Sequence, residues 1–125
     1  MIEIVETDSV AKSASPLNQA LKAGDFLFVS GQLGRHPETG DIVQPFSAEV
    51  KQTMDNLSEI LKQAGLTFDD VVKTNIYVTD IASVKELNSI YKEYLGDKYP
   101  ARCCVEVNRL AKDAKVEIEL IAYMP

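Results

Sequence analysis

The sequence predicts an α+β sandwich, a mixed β-sheet with two helices packed on one face. Three observations carry that expectation. The hydrophobic residues switch repeatedly between a period of two and a helical period, and each switch falls near a turn-forming residue. The stretches follow the order strand, strand, helix, strand, helix, strand, strand, which is not the strict alternation of a parallel α/β fold. With 125 residues there is room for one domain, 1–125, and not for a second core.

Met1-Ile2-Glu3-Ile4-Val5-Glu6 alternates apolar with acidic residues and reads as the first strand. Residues 7–24 are polar and small, with Ser13, Ser15 and Pro16, and are expected to be irregular as far as Gly24. Asp25 to Ser30 is dense in strand formers and is closed by Gly31. Pro37-Glu38-Thr39-Gly40-Asp41 has tight-turn chemistry.

Ser47 is placed to cap a helix whose apolar stripe runs Val50, Met54, Leu57, Leu61 and Ala64, with Gly65 as a left-handed stop. Val71 to Thr79 alternates and is rich in β-branched residues, so it is a strand. Ser83-Val84-Lys85-Glu86 has the capping-box pattern, and Val84, Leu87, Tyr91 and Tyr94 form a second stripe that ends at Gly96. Arg102–Val107 and Lys115–Tyr123 are two closing strands joined by the polar Lys112-Asp113 turn.

Strand parity separates two faces. Leu27, Val29, Val72, Ile76, Val78, Val105, Val107, Val116, Ile118 and Leu120 are expected beneath the helices. Phe26, Phe28, Ser30, Lys73, Asn75, Tyr77, Arg102, Cys104, Glu106, Glu117, Glu119 and Ile121 are expected on the other face. A face left to water would be nearly all polar, so the aromatics here imply that another copy of the chain covers part of it.

Composition excludes several classes of function. Thirteen Lys and Arg against 19 Asp and Glu leave a net charge of −6, which disfavours a broad nucleic-acid or anionic-membrane surface. No apolar run reaches the length of a membrane span, and the first residues lack the pattern of a signal peptide, so a cytoplasmic protein is expected. Cys103 and Cys104 are neighbours, which cannot bond without strain, so both are expected as free thiols. One histidine, His36, sits in a turn, and no set of metal ligands or Gly-rich phosphate loop can be assembled, so no metal or cofactor is expected.

The remaining candidates lie on the last two strands. Arg102 and Cys104 share one face, as do Glu117 and Glu119 on the strand taken to be next to it. Two residues along a strand span about 6.8 Å, so these groups are expected within reach of one small molecule. Arg102, after Tyr99-Pro100-Ala101, enters a partly buried place, where a guanidinium needs an anion and favours a bidentate carboxylate. Spacing alone leaves a second reading open, an ion pair between Arg102 and Glu117 or Glu119.

Val29-Ser30-Gly31-Gln32, Pro37-Glu38-Thr39-Gly40, Val72-Lys73-Thr74, Asn88-x-x-Tyr91, Tyr99-Pro100-Ala101-Arg102-Cys103-Cys104-Val105-Glu106-Val107 and Lys115-Val116-Glu117-Ile118-Glu119 together resemble the RidA/YjgF family of imine deaminases. The resemblance runs in order over nearly the whole chain. It implies a homotrimer of a chorismate-mutase-like α+β fold with active sites in clefts between subunits, and hydrolysis of 2-imino acids to 2-keto acids and ammonia without a cofactor. It also implies that Arg102 binds the substrate carboxylate, Glu117 orients water, Cys104 supplies a backbone donor, and Ser30, Gly31 and Asn88 line the site. The chemistry suits these residue types, because an imine carbon is already electrophilic and needs only a held substrate and an aimed water.

Two positions depart from the family pattern. Where the family has Gly-Pro-Tyr, this chain reads Ser15-Pro16-Leu17, and Leu17 has no hydroxyl. Cys103 replaces a small hydroxyl residue. A trimeric small-carboxylate-binding or regulatory module is therefore the rival reading. A ribonuclease, the third, wants basic surface and paired acid–base groups that a net charge of −6 and one histidine do not offer.

Overall fold

A computed structural model describes all 125 residues. The strands are β1 Ile2–Val5, β2 Ala20–Ala23, β3 Phe26–Leu33, β4 Val71–Val78, β5 Ala101–Glu106 and β6 Val116–Tyr123; the helices are α1 Phe46–Gln63 and α2 Val84–Leu95. The strands form one sheet in the order β1-β2-β3-β6-β4-β5, with every neighbouring pair antiparallel except β4 and β5. This is the expected α+β architecture. The core lies between one sheet face and the helices, and a single cluster of 21 buried residues spans both layers.

The helical stripe of α1 behaves as its spacing predicts: Val50, Met54, Leu57 and Leu61 are all buried. Full burial of each such side chain contributes roughly 1.5–3 kcal/mol. Its end is also as expected, with Gly65 at φ +77 just past the helix. Its start is not, because Pro45 occupies the cap position and no side chain, Ser47 included, caps it. At α2 the Ser83 hydroxyl makes no cap bond; Asp80 instead caps the short turn before it, accepting from the Ala82 N–H at 2.9 Å. Gly96, at φ +64, ends α2.

Four further expectations are corrected. Residues 7–24 are not wholly irregular, since Ala20–Ala23 pair with β3 through a turn at Gly24-Asp25, where Gly24 adopts φ +60. The two closing strands are not neighbours. β6 runs between β3 and β4, and β5 lies outside β4 as the parallel edge strand that α2 returns to the sheet. The faces of β5 are reversed as well. Arg102, Cys104 and Glu106 register with Thr74, Ile76 and Val78 on the helix side, leaving Cys103 and Val105 opposite. Finally, an irregularity between Val71 and Lys73 puts Val71 in the core and leaves Val72 42% exposed.

The face away from the helices is strongly apolar at one end. Ile4, Leu21, Phe28 and Ile121 stand in one cross-strand row, and Ile2, Ala23, Phe26 and Tyr123 in the next. Phe28 is 46% exposed and the Phe26 and Tyr123 rings meet at 5.7 Å. The polar end carries Glu117, Glu119, Asn75 and Tyr77.

Candidate functional site

Two clefts hold the candidate residues, one on each side of the sheet. The first opens where α2 meets the edge strand β5. The parallel register sets Arg102 beside Thr74 and under the helix. Its guanidinium carbon lies 5.0 Å from the centroid of the Tyr91 ring, a cation–π distance. Tyr91 is a fixed platform: it is buried, and its hydroxyl shares a 2.8 Å hydrogen bond with the buried Thr74 hydroxyl. One helical turn earlier, Asn88 faces the same cleft, whose volume is about 250 Å³ and whose other walls are Lys92, Tyr99 and Pro100.

Two polar groups of this cleft have no partner within the chain. The Asn88 Oδ1 atom is buried and accepts no hydrogen bond from the protein. Arg102 has no carboxylate within 4.0 Å, because the ion pairs of the chain are Lys12–Asp8 and Arg109–Asp113. An ion pair between Arg102 and Glu117 or Glu119 is therefore not formed. The backbone of Cys104 adds a donor. The Val107 N–H bonds inward to the Val78 carbonyl at 2.8 Å, and strand alternation then turns the Cys104 N–H to the outer edge of β5. Both cysteines are free thiols, Cys103 exposed and Cys104 half-buried.

The second cleft, about 230 Å³, opens on the other side and is lined by Glu117, Gly31, Leu17, Ser13, Ser15 and Arg35 among others. A bulge at Ser30-Gly31 shapes it, because Val29 pairs with Leu120 but Gln32 already pairs with Ile118. The bulge brings the Gly31 backbone against the Glu117 carboxylate. A Cβ at Gly31 would collide with Oε2 and come within 2.9 Å of Cδ. Ser30 is beside the cleft rather than in its wall, and its hydroxyl donates to the Asn18 carbonyl at 2.6 Å.

Burial pushes the Glu117 carboxyl above the ordinary range, and the neighbouring Glu119 charge adds to the effect. Glu119 is engaged: its Oε1 accepts from the Tyr77 hydroxyl at 2.6 Å and from Asn75 at 3.3 Å. That bond raises the Tyr77 phenol to about 12. His36 lies outside both clefts, with Nδ1 accepting from the Glu38 and Thr39 N–H groups in the turn.

Within one chain, then, Arg102 and Glu117 do not converge on one small molecule as their parity suggested. They lie on opposite faces of the sheet, two strands apart, with β4 between. Arg102, Asn88 and the outer edge at Cys104 lie at one cleft; Glu117 and Gly31, with Ser30 behind them, lie at the other. Sequence reasoning missed the platform role of Tyr91, which it assigned to the core stripe, and it did not place Arg35 in the Glu117 cleft. The Asn88-x-x-Tyr91 spacing, one turn of helix, was the available signal for the first.

The family described as Endoribonuclease L-PSP matches residues 7–124. A RutC family protein of Pyrococcus horikoshii is 42% identical over 124 residues, covering 98% of this chain and 98% of that protein. Among solved structures, RidA from the Antarctic bacterium Psychrobacter sp. has a TM-score of 0.95 at 37% identity, over 98% of this chain and 99% of that one. TdcF of E. coli, solved with bound serine, has a TM-score of 0.93 at 33% identity, over 98% and 99%.

Proposed function

The chain belongs to the YjgF/RidA family, and from that premise we propose that it hydrolyses small 2-imino acids, such as 2-iminobutanoate and 2-iminopropanoate, to 2-keto acids and ammonia. The whole chain, 1–125, acts as one domain in a cytoplasmic homotrimer whose sites lie between copies, and no cofactor takes part. One observation carries the reading: an unpaired guanidinium, seated on Tyr91 beside the orphaned Asn88 acceptor, in a cleft the size of a small organic acid. Serine, bound by the relative TdcF, is likewise a small molecule with a carboxylate next to nitrogen-bearing carbon.

In this reading Arg102 grips the substrate carboxylate through its planar fork, and the Cys104 N–H adds a second donor. Asn88 Oδ1 accepts a hydrogen bond from the bound molecule. Glu117, brought by the adjoining copy, accepts a hydrogen bond from one water and turns its lone pair toward the imine carbon. The water oxygen bonds to carbon as the C=N π pair moves onto nitrogen, which gives a carbinolamine. Both water protons pass from oxygen to nitrogen, Glu117 relaying them, and the C–N bond then breaks to leave the carbonyl and ammonia. Partial burial, which raises the Glu117 carboxyl, suits a group that takes a proton from water and returns it to nitrogen.

The test is ammonia release from 2-iminobutanoate or 2-iminopropanoate generated enzymatically. Arg102→Lys keeps the charge and loses the fork, and is expected to lower kcat/KM by about 10- to 100-fold. Parent-like turnover in Arg102→Lys overturns the carboxylate clamp. Leu17, 48% exposed in the wall of the Glu117 cleft, favours the second reading, a carboxylate-binding module without turnover. That reading is supported if keto acids raise the melting temperature, no imine is consumed, and Leu17→Tyr restores activity.

A further inference from the structure

The Glu117 cleft has an arginine of its own, Arg35, apart from Arg102 in the cleft across the sheet. Arg35 follows β3 in a bridge with Ile42 and is half-buried. Its Nε donates to the Gly40 carbonyl at 2.9 Å and its Nη1 to the Lys12 carbonyl at 3.3 Å. A side chain at Gly40 would crowd it, since a Cβ there would lie 2.8 Å from Nη2. These contacts hold the head group in place and use two of its five N–H donors. No carboxylate lies within 4.0 Å, Glu117 included, although Glu117 lines the same cleft.

A guanidinium anchored by two backbone carbonyls, with no acid to answer it, is a prepared anion site. Arg102 already accounts for the carboxylate adjoining the imine carbon. We infer that Arg35 receives a second carboxylate, so that the preferred substrates are 2-imino dicarboxylic acids, the imines of aspartate and glutamate. Across the seam between two copies, Arg102 holds one end, Arg35 the other, and Glu117 meets the imine carbon between them. Leu17, in the same wall, offers an apolar surface to the intervening methylene groups. The reaction is unchanged: water oxygen replaces the imine nitrogen, which departs as ammonia, and both carboxylates are retained.

This inference rests on the imine-hydrolase reading, and its test separates the two. The measurement is kcat/KM for imines generated in place from aspartate or glutamate and from alanine or 2-aminobutyrate, by oxidases for those amino acids. The parent is expected to favour the dicarboxylic imines by about tenfold or more, the worth of one charge-assisted fork. In Arg35→Gln the ratio of dicarboxylic to monocarboxylic kcat/KM is expected to fall at least tenfold, with Arg35→Lys between the two. A purely structural role for Arg35 would lower both rates together and leave the ratio alone; that result, or a parent with no preference, overturns the inference. If no imine is hydrolysed, the function fails while the inference is still decided by calorimetry. Tighter binding of 2-oxoglutarate than of 2-oxobutanoate, lost in Arg35→Gln, sustains it, and equal binding overturns it.

Discussion

Glu119 gives its Oε1 to the Tyr77 hydroxyl and to Asn75, whereas Glu117, two residues earlier on the same face, accepts no hydrogen bond from the chain. Burial and the Glu119 charge both raise the Glu117 carboxyl from its ordinary 4.5. If ionised Glu117 is the group that takes the proton from water, activity is lost as pH falls through this raised value. Glu119→Gln keeps the acceptor for Tyr77 and removes the neighbouring charge, so the Glu117 value falls. The acid limb of the kcat/KM profile is expected to move to lower pH; an unmoved limb would assign it to another group. At this scale the sequence was legible in part. Residue type and spacing brought forward Arg102 with Glu117 and Glu119 as a group, because a guanidinium heading into an apolar strand and two carboxylates on one face are unusual demands; only the family resemblance separated Glu117 from Glu119. Tyr91 was hidden, since a tyrosine on a helical stripe looks the same whether its ring only fills the core or also presents a face to a cation.

β3 shows how one strand end serves two purposes. Gly31 lies under the flexible end of Glu117, whereas Gly34, just past the strand, lies against the backbone carbonyl of the buried Glu49. Glu49 in turn accepts from the Lys115 and Val116 N–H groups at 2.7 and 3.2 Å, tying the first turn of α1 to the start of β6 and so to Glu117. The two glycines should therefore respond differently to one added methyl group. Gly31→Ala displaces a side chain that can move, so the melting temperature is expected to stay within a few degrees while turnover drops about 10- to 100-fold. Gly34→Ala meets backbone that cannot yield, and is expected to destabilise the fold by about 1–3 kcal/mol in denaturant unfolding. The helices were readable in the sequence because their stripes are long and capped by Gly65 and Gly96. The strands were less so. Ala20–Ala23 has little strand character of its own and exists because β1 and β3 pair with it. Alternation in Arg102-Cys103-Cys104-Val105 separates two faces without saying which one meets the helices. Cys103 and Val105 face away from the helices, beside Asn75 and Tyr77 of the polar end, while Arg102 faces the cleft under α2.

For the molecule as a whole, the exposed rows around Ile4, Phe26, Phe28 and Tyr123 form an apolar surface that a solitary chain would leave wet. The order of the sheet was beyond the sequence, since insertion of β6 between β3 and β4 depends on contacts far apart along the chain. That order puts Arg102 on one side and Glu117 on the other, and it has a consequence for mixtures. An Arg102→Ala chain and a Glu117→Gln chain, each inert alone, carry complementary lesions. If the site is shared between copies as proposed, then refolding them together in equal amounts should restore about a quarter of the wild-type rate, because one seam in four pairs an intact guanidinium with an intact carboxylate. Two dead alleles that stay dead in company would mean that each chain keeps its chemistry to itself.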